Sequence, residues 1–175
     1  MPFKKHFNGL NKVFNKQMKF SHLKNKKINM VDISSKKITS RIAEATNEIK
    51  FKKSTFKRII ELGSEKGEIF NTARCAGILA AKKTSELIPL CHNIDINSVS
   101  VDFTTDKKRM VILVHVKVKS NGKTGVEIEA LIASAIASLT IYDMCKAIDK
   151  TIIINDLKLK YKSGGKSGEF KNDIL

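Results

Sequence analysis

An α+β fold, one antiparallel sheet with helices on a single face, follows from three observations. Two neighbouring stretches, INSVSVDFTT (96–105) and MVILVHVKV (110–118), alternate apolar and polar residues around the charged turn DKKR and predict a β-hairpin. Apolar residues at helical spacing lie before that hairpin and again after it. Further strand-like segments stand outside the two helical regions, one on each side.

The first strand is KITSRIAEATNEIKF (37–51), in which β-branched residues mix with polar ones. Ser54 to Leu62 sets Phe56, Ile59 and Ile60 at helical spacing, and Gly63 predicts a stop. A second helix is predicted from Glu68 to Ile88, with Ile69, Ala73, Ala76, Leu79 and Ala80 on one side, before Pro89 breaks it. After the hairpin, GKTG (122–125) opens the longest helix, Val126 to about Lys150, and TIIINDLKLKY (151–161) returns as a strand. With the two early helices merged into one connection the order is β-α-β-β-α-β, a ferredoxin-like, four-stranded antiparallel sheet. We read residues 30–170 as one domain, preceded by an arm (1–29) expected to be largely disordered and followed by a short tail (171–175).

At 175 residues and 42% hydrophobic content the chain can build a core without staples. Cys75, Cys91 and Cys145 form no C-x-x-C pair and are odd in number, so neither a disulfide framework nor a zinc knuckle is predicted, and reduced thiols in a cytoplasmic compartment are expected. The longest run without a charge, Ala130 to Tyr142, is too short and too rich in alanine and serine to predict a membrane span. Half of the net charge of +16 sits in residues 1–29, which hold eight lysines and no acid. Such a balance suits nucleic acid, acidic surfaces or a polyphosphate substrate, and the abundance of lysine, asparagine and isoleucine also fits a compositional bias of the source.

Candidate chemistry concentrates in three stretches. In LTIYDMCKAI (139–148), Asp143 and Lys146 stand three apart on one helix face, as a surface ion pair or as a proton-transfer pair whose ammonium is brought toward neutrality by partial burial. In GKTGVEIEA, Thr124 and Glu127 match a capping box, whereas Glu129 has no such structural explanation. KSGGKSG (162–168) is not a Walker A loop, because Lys160 stands where that motif needs glycine; its exposed amides, with Lys162 and Lys166, suit either an anion nest or a solvated tail. His92, beside Cys91, has no second ligand cluster at zinc spacing, so no metal site is predicted, and Lys66 stands at a helix entrance where an anion is favoured.

One spacing constrains the rest. Glu129 and Asp143 are 14 residues apart, which on an unbroken helix is roughly 21 Å. If both serve one small-molecule site, either the helix breaks or two chains supply the site. The small-residue run ASAIAS (133–138) permits close approach of a partner helix and equally suits packing on the chain's own sheet.

MVDIS (30–34), KGEIFNTAR (66–74), AGILAAKKTSELIPLCH (76–92), GKTGVEIEAL (122–131), LTIYDMCKAI and KSGGKSG together closely resemble the cyclic pyranopterin monophosphate synthase family, the accessory protein C of molybdenum cofactor biosynthesis. The likeness runs from about Phe20 to Phe170, and FSHL (20–23) resembles the family's usual start, making Met18 an alternative beginning. The resemblance implies a ferredoxin-like protomer in a homohexamer of three dimers, active sites shared between subunits, and a lyase that converts 3′,8-cyclo-7,8-dihydroguanosine triphosphate to cyclic pyranopterin monophosphate with release of pyrophosphate. It implies no cofactor, nucleic acid or membrane partner. Matched residue by residue, it assigns catalysis to Asp143, Lys146, His92 and Lys66, and substrate binding to Leu90, Cys91, His92, Glu127, Ile128, Glu129, Lys162 and Lys166, with Asp32 and Arg41 as weaker assignments. Asn93, Ile128 and Cys75 depart from the family pattern, where proline, methionine and an aliphatic residue are usual; they bear on affinity rather than on the reacting groups. The rival is a basic nucleic-acid-binding module of the same fold, opposed by the 6% aromatic content and by the absence of stacking aromatics in MVILVHVKV.

Overall fold

The computed structural model describes residues 22–24, 27–61 and 63–172, with only the backbone described at 23–24, 61 and 63–68. Two units divide at Asp32 and Ile33. The first contains a two-stranded antiparallel ladder, β1 (Leu23–Lys24) with β2 (Lys27–Ile28). Most of the predicted arm, residues 1–21, lies outside the described residues.

The second unit runs β3 (Thr39–Lys50), α1 (Lys53–Glu61), α2 (Gly63–Lys82), α3 (Thr84–Leu87), β4 (Ile96–Asp106), β5 (Val111–Gly122), α4 (Glu127–Cys145), β6 (Ile153–Ser163) and β7 (Phe170–Lys171). The sheet order is β4-β5-β3-β6-β7, all neighbours antiparallel. Its four long strands give the predicted ferredoxin-like arrangement, and β7, which straddles the boundary between predicted domain and tail, adds a two-residue fifth strand that was not predicted. Helices pack on one face because alternate residues of the central strands are apolar: Ala43, Ala45 and Ile49 of β3 and Ile112, Val114, Val116 and Val118 of β5 are buried there. Each fully buried valine or isoleucine among them contributes about 1.5–3 kcal/mol.

One polar residue interrupts that alternation. Asn47, buried on β3, donates through Nδ2 to the Ser134 carbonyl (3.1 Å) and accepts at Oδ1 from Ser138 Oγ (2.7 Å). These bonds satisfy a buried amide and fix α4 in translation and rotation on the sheet. The small residues therefore serve the chain's own packing, since Ala133, Ser134, Ala137 and Ser138 are all buried within it. A β-carbon on Gly77 of α2 would lie 2.9 Å from the Ala133 carbonyl oxygen and 3.3 Å from the Ala137 Cβ. The two helices thus cross at a glycine.

That crossing corrects the predicted helix face. Leu79 is 55% exposed, whereas Ala73, Ala80 and Ala81 are buried. With Gly77 against α4, a residue two positions on is rotated by about 200° and faces outward. Gly63 opens α2 rather than closing α1, and the predicted helix from Glu68 to Ile88 is α2 with a separate turn, α3, after Lys83. Ile88 is extended (φ −112°, ψ 111°), as a residue before proline must be.

Alanine raises helix propensity over glycine by about 1 kcal/mol, but forcing a methyl into a closed contact costs about 1–3 kcal/mol. Gly77→Ala is therefore expected to be neutral to destabilising, and Gly77→Val clearly destabilising, in urea unfolding; a more stable Gly77→Val variant would contradict the crossing.

Candidate active site

The start of β3, the end of β5 and the end of β6 meet at one edge of the sheet, because Arg41 pairs with Ser120 and Ile42 with Ser163 in the antiparallel registers. There the Ser35–Lys37 turn, Lys123–Glu127 and the glycine loop after β6 enclose a cavity of about 700 Å³. Among the described residues its lining carries six cations, Lys36, Lys37, Arg41, Lys123, Lys162 and Lys166, against the single carboxylate of Glu127. The glycines are required by geometry. Gly164 (φ +96°) and Gly165 (φ +76°) adopt left-handed conformations, and side chains there would strike the Ser40 carbonyl and the Arg41 guanidinium. Arg41 itself donates from Nε to the Gly122 carbonyl (3.4 Å), so its guanidinium lies across the loop.

Glu127 does not form the predicted capping box. The helix N-cap is Val126, with no side-chain capping bond, and Glu127 Oε1 instead accepts from Lys162 Nζ at 2.9 Å. A full ammonium is a stronger partner for the carboxylate than a neutral backbone amide. Lys123 Nζ donates to the Ser34 carbonyl (2.9 Å), tying the turn to the rim of the cavity.

Glu129, one turn or less into α4, is 3% exposed. Burial, with a smaller contribution from the charge of Glu127, pushes its carboxyl up to about 7. Such a group exchanges its proton near neutrality. The loop after α3 lies beside it: Ser120 Oγ donates to the Asp95 carbonyl (2.7 Å), and the Cys91 thiol is raised by burial and then by the charge of Glu129. In the same loop His92 has a buried Nε2 without a hydrogen-bond partner, Leu90 is half-buried, and Ile128 on α4 is partly exposed.

Asp143 and Lys146 are elsewhere. They form an ion pair (Oδ1–Nζ 2.5 Å) on the last turn of α4, with side chains 68% and 55% exposed. The expected lowering of the lysine by partial burial does not occur in the single chain: the hydrogen bond to Asp143 and then its charge raise the ammonium's pKa. Because α4 is continuous from Glu127 to Cys145, the broken-helix alternative is excluded and Glu129 stands roughly 21 Å from Asp143 along the axis. Lys66 lies in the first turns of α2, where only the backbone is described, and Asp32 belongs to the first unit.

Lys162, Lys166, Glu127 and Arg41 thus share one cavity, Cys91 lies close enough to Glu129 at the buried start of α4 to feel its charge, with His92 next to it in the chain, and Asp143 and Lys146 occupy the far end of α4. Lys36, Lys37 and Lys123 were not singled out from the sequence. Lys123 stands between Gly122 and Gly125, whereas Lys36 and Lys37 have no glycine nearby, and the general abundance of lysine conceals all three. A second concavity of about 500 Å³ lies across the sheet, but its Lys117 and Lys158 are paired with Glu44 and Asp156, so it lacks the first cavity's excess of positive charge.

Fold and site define an α+β domain with a cationic, glycine-walled cavity and a buried carboxyl near neutrality. The MoaC family model matches residues 30–165, and the chain belongs to that family. Cyclic pyranopterin monophosphate synthase of Clostridium botulinum is 49% identical over 156 residues, covering 89% of this chain and 98% of the relative. The proteins of that name from Desulfatibacillum aliphaticivorans (47%, 88% of this chain and 98% of the relative) and Bordetella petrii (46%, 87% and 95%) are similarly close.

Folding takes up a proton at Glu129 between its ordinary pKa of 4.5 and about 7, so stability falls as pH rises through that interval. Glu129→Gln is expected to be more stable than the native chain above that interval, by at most about 3.5 kcal/mol at 1.36 kcal/mol per unit, and to lose the advantage below it. Denaturant unfolding at both ends of the interval checks this; an advantage independent of pH would contradict it.

Proposed function

We propose that this chain is a cyclic pyranopterin monophosphate synthase, a lyase acting on 3′,8-cyclo-7,8-dihydroguanosine triphosphate and releasing pyrophosphate. The reading rests on family membership and on one observation above the rest: the cavity of about 700 Å³ with six cations around the glycine loop of the family-like motif KSGGKSG. Lys162, Lys166, Arg41, Lys36, Lys37 and Lys123 hold the triphosphate and offset the charge of the departing pyrophosphate. Lys162 exchanges its bond with Glu127 for one with phosphate, which frees Glu127 to accept from the amino edge of the guanine-derived ring. Glu129, poised near neutrality, moves a proton at the ring beside Cys91 and His92, and Leu90 and Ile128 line the ring's apolar side.

Asp143 and Lys146 complete the acid–base set from a second copy of the chain, with Lys66 as a further cation. In that shared site Lys146 is enclosed, and desolvation acts against the raised pKa it has when exposed. The same reading includes a homohexamer of three dimers and a cytoplasmic location. It requires no cofactor and no metal among the chain's own residues. The nucleic-acid alternative is weaker: the open face of the sheet presents Glu44, Glu48 and Asp102, while Phe103 stacks on Phe70 (4.9 Å) under the helices.

The purified chain is expected to form a pterin product and pyrophosphate from the cyclised GTP substrate. Asp143→Asn and Lys146→Ala abolish turnover with unfolding midpoints close to native, whereas Arg41→Ala and Lys162→Ala chiefly raise KM, by ~10-fold or more if each contributes a charge-assisted bond of about 1.5–3 kcal/mol. Full turnover by both Asp143→Asn and Lys146→Ala removes their assigned roles.

A further inference from the structure

We propose that Asp149 is a positioning residue for the Asp143–Lys146 pair, clamping the end of α4 to α1 and to the approach of β6. Its side chain is buried, and it lies just past the end of α4, which stops at Cys145 rather than at about Lys150 as predicted. Both oxygens are used. Oδ2 accepts from Thr55 Oγ1 on α1 (2.9 Å), and Oδ1 accepts from the Thr151 amide (2.8 Å) and hydroxyl (2.7 Å), just before β6. Lys52 Nζ approaches Oδ1 at 3.8 Å. Along the backbone, the Asp149 and Ile148 amides both donate to the Cys145 carbonyl (3.1 and 2.9 Å), closing the last turn of α4.

Lys146 is the C-cap of that helix, in helical conformation, and its amide donates to the Tyr142 carbonyl (2.8 Å). The turn that carries the lysine is therefore held from within by backbone bonds and from outside by one carboxylate. Hydrogen bonds, chiefly from Thr151, hold that carboxyl down at about 2, so it remains ionised across the range in which an enzyme works. An amide cannot replace it, because asparagine offers one oxygen for donors that occupy two sides. Loosening this anchor leaves the pair in place chemically but widens the range of positions its groups sample, and a displacement of about 1 Å can cost ~100-fold in rate.

The inference rests on the proposed roles of Asp143 and Lys146, so Lys146→Ala serves as the reference in the test. Steady-state kinetics on the full chain with the cyclised GTP substrate compare Asp149→Asn, Thr55→Val and Thr55→Ser. Asp149→Asn is expected to lower kcat by ~10-fold or more with KM within about twofold, since the cationic cavity is at the other end of α4. Thr55→Val shows a smaller loss of the same kind, and Thr55→Ser, which keeps the hydroxyl, restores native turnover. If Asp149→Asn does not fold, Thr55→Val and Thr55→Ser decide. Native kcat in the folded variants, a loss confined to KM, or an equal loss in Thr55→Ser overturns the proposal. Native turnover by Lys146→Ala overturns the underlying reading, and the proposal with it.

Discussion

The continuity of α4 governs what this molecule can do. A helix of 19 residues is a rod whose ends cannot approach each other, and here both ends carry titratable groups. The rod is also locked. Asn47 bonds it to the central strand through Ser134 and Ser138, Gly77 admits α2 against Ala133, and a nearly unbroken series of small residues allows both contacts. Bending α4 to bring Asp143 toward Glu129 would break buried hydrogen bonds and open the close contact at Gly77. Closing a site by adding a second chain avoids both costs.

The two ends differ in electrostatic character. At the start of α4, positive charge from three segments distant in sequence converges on glycines that leave the backbone bare, and one carboxylate, Glu127, neutralises part of it when no anion is bound. A few ångströms inward the environment turns apolar, and Glu129 responds with a carboxyl near neutrality. At the far end both groups are exposed, and the hydrogen bond to Asp143 and then its charge raise the Lys146 ammonium. The proposed anion grip and proton exchange need different surroundings, wet and cationic for one, dry for the other, and the cationic cavity and the buried Glu129 offer both near the start of α4.

Much of this was readable from local pattern. The hairpin around DKKR, the strand order and the ion pair at 143 and 146 depend on periodicity and spacing, which survive folding unchanged. What failed depended on tertiary partners. The capping box lost Glu127 to Lys162, 35 residues away; Leu79 turned outward because Gly77 takes the crossing; Gly63 opens a helix since a second axis begins there. Asn47 and Asp149 look like ordinary polar residues in sequence, and only burial reveals that each joins separate elements. The lysines at 36, 37 and 123 were hidden by a composition in which lysine is common everywhere.

The central claim, that one site takes the start of α4 from one copy and its end from another, is tested most directly by mixing two inactive proteins. Glu129→Gln and Asp143→Asn subunits are dissociated together, reassembled and assayed. Shared sites predict that turnover returns, because some sites in the mixed assemblies receive both native halves. Silence in the mixture, with assembly verified by native mass, would contradict the account.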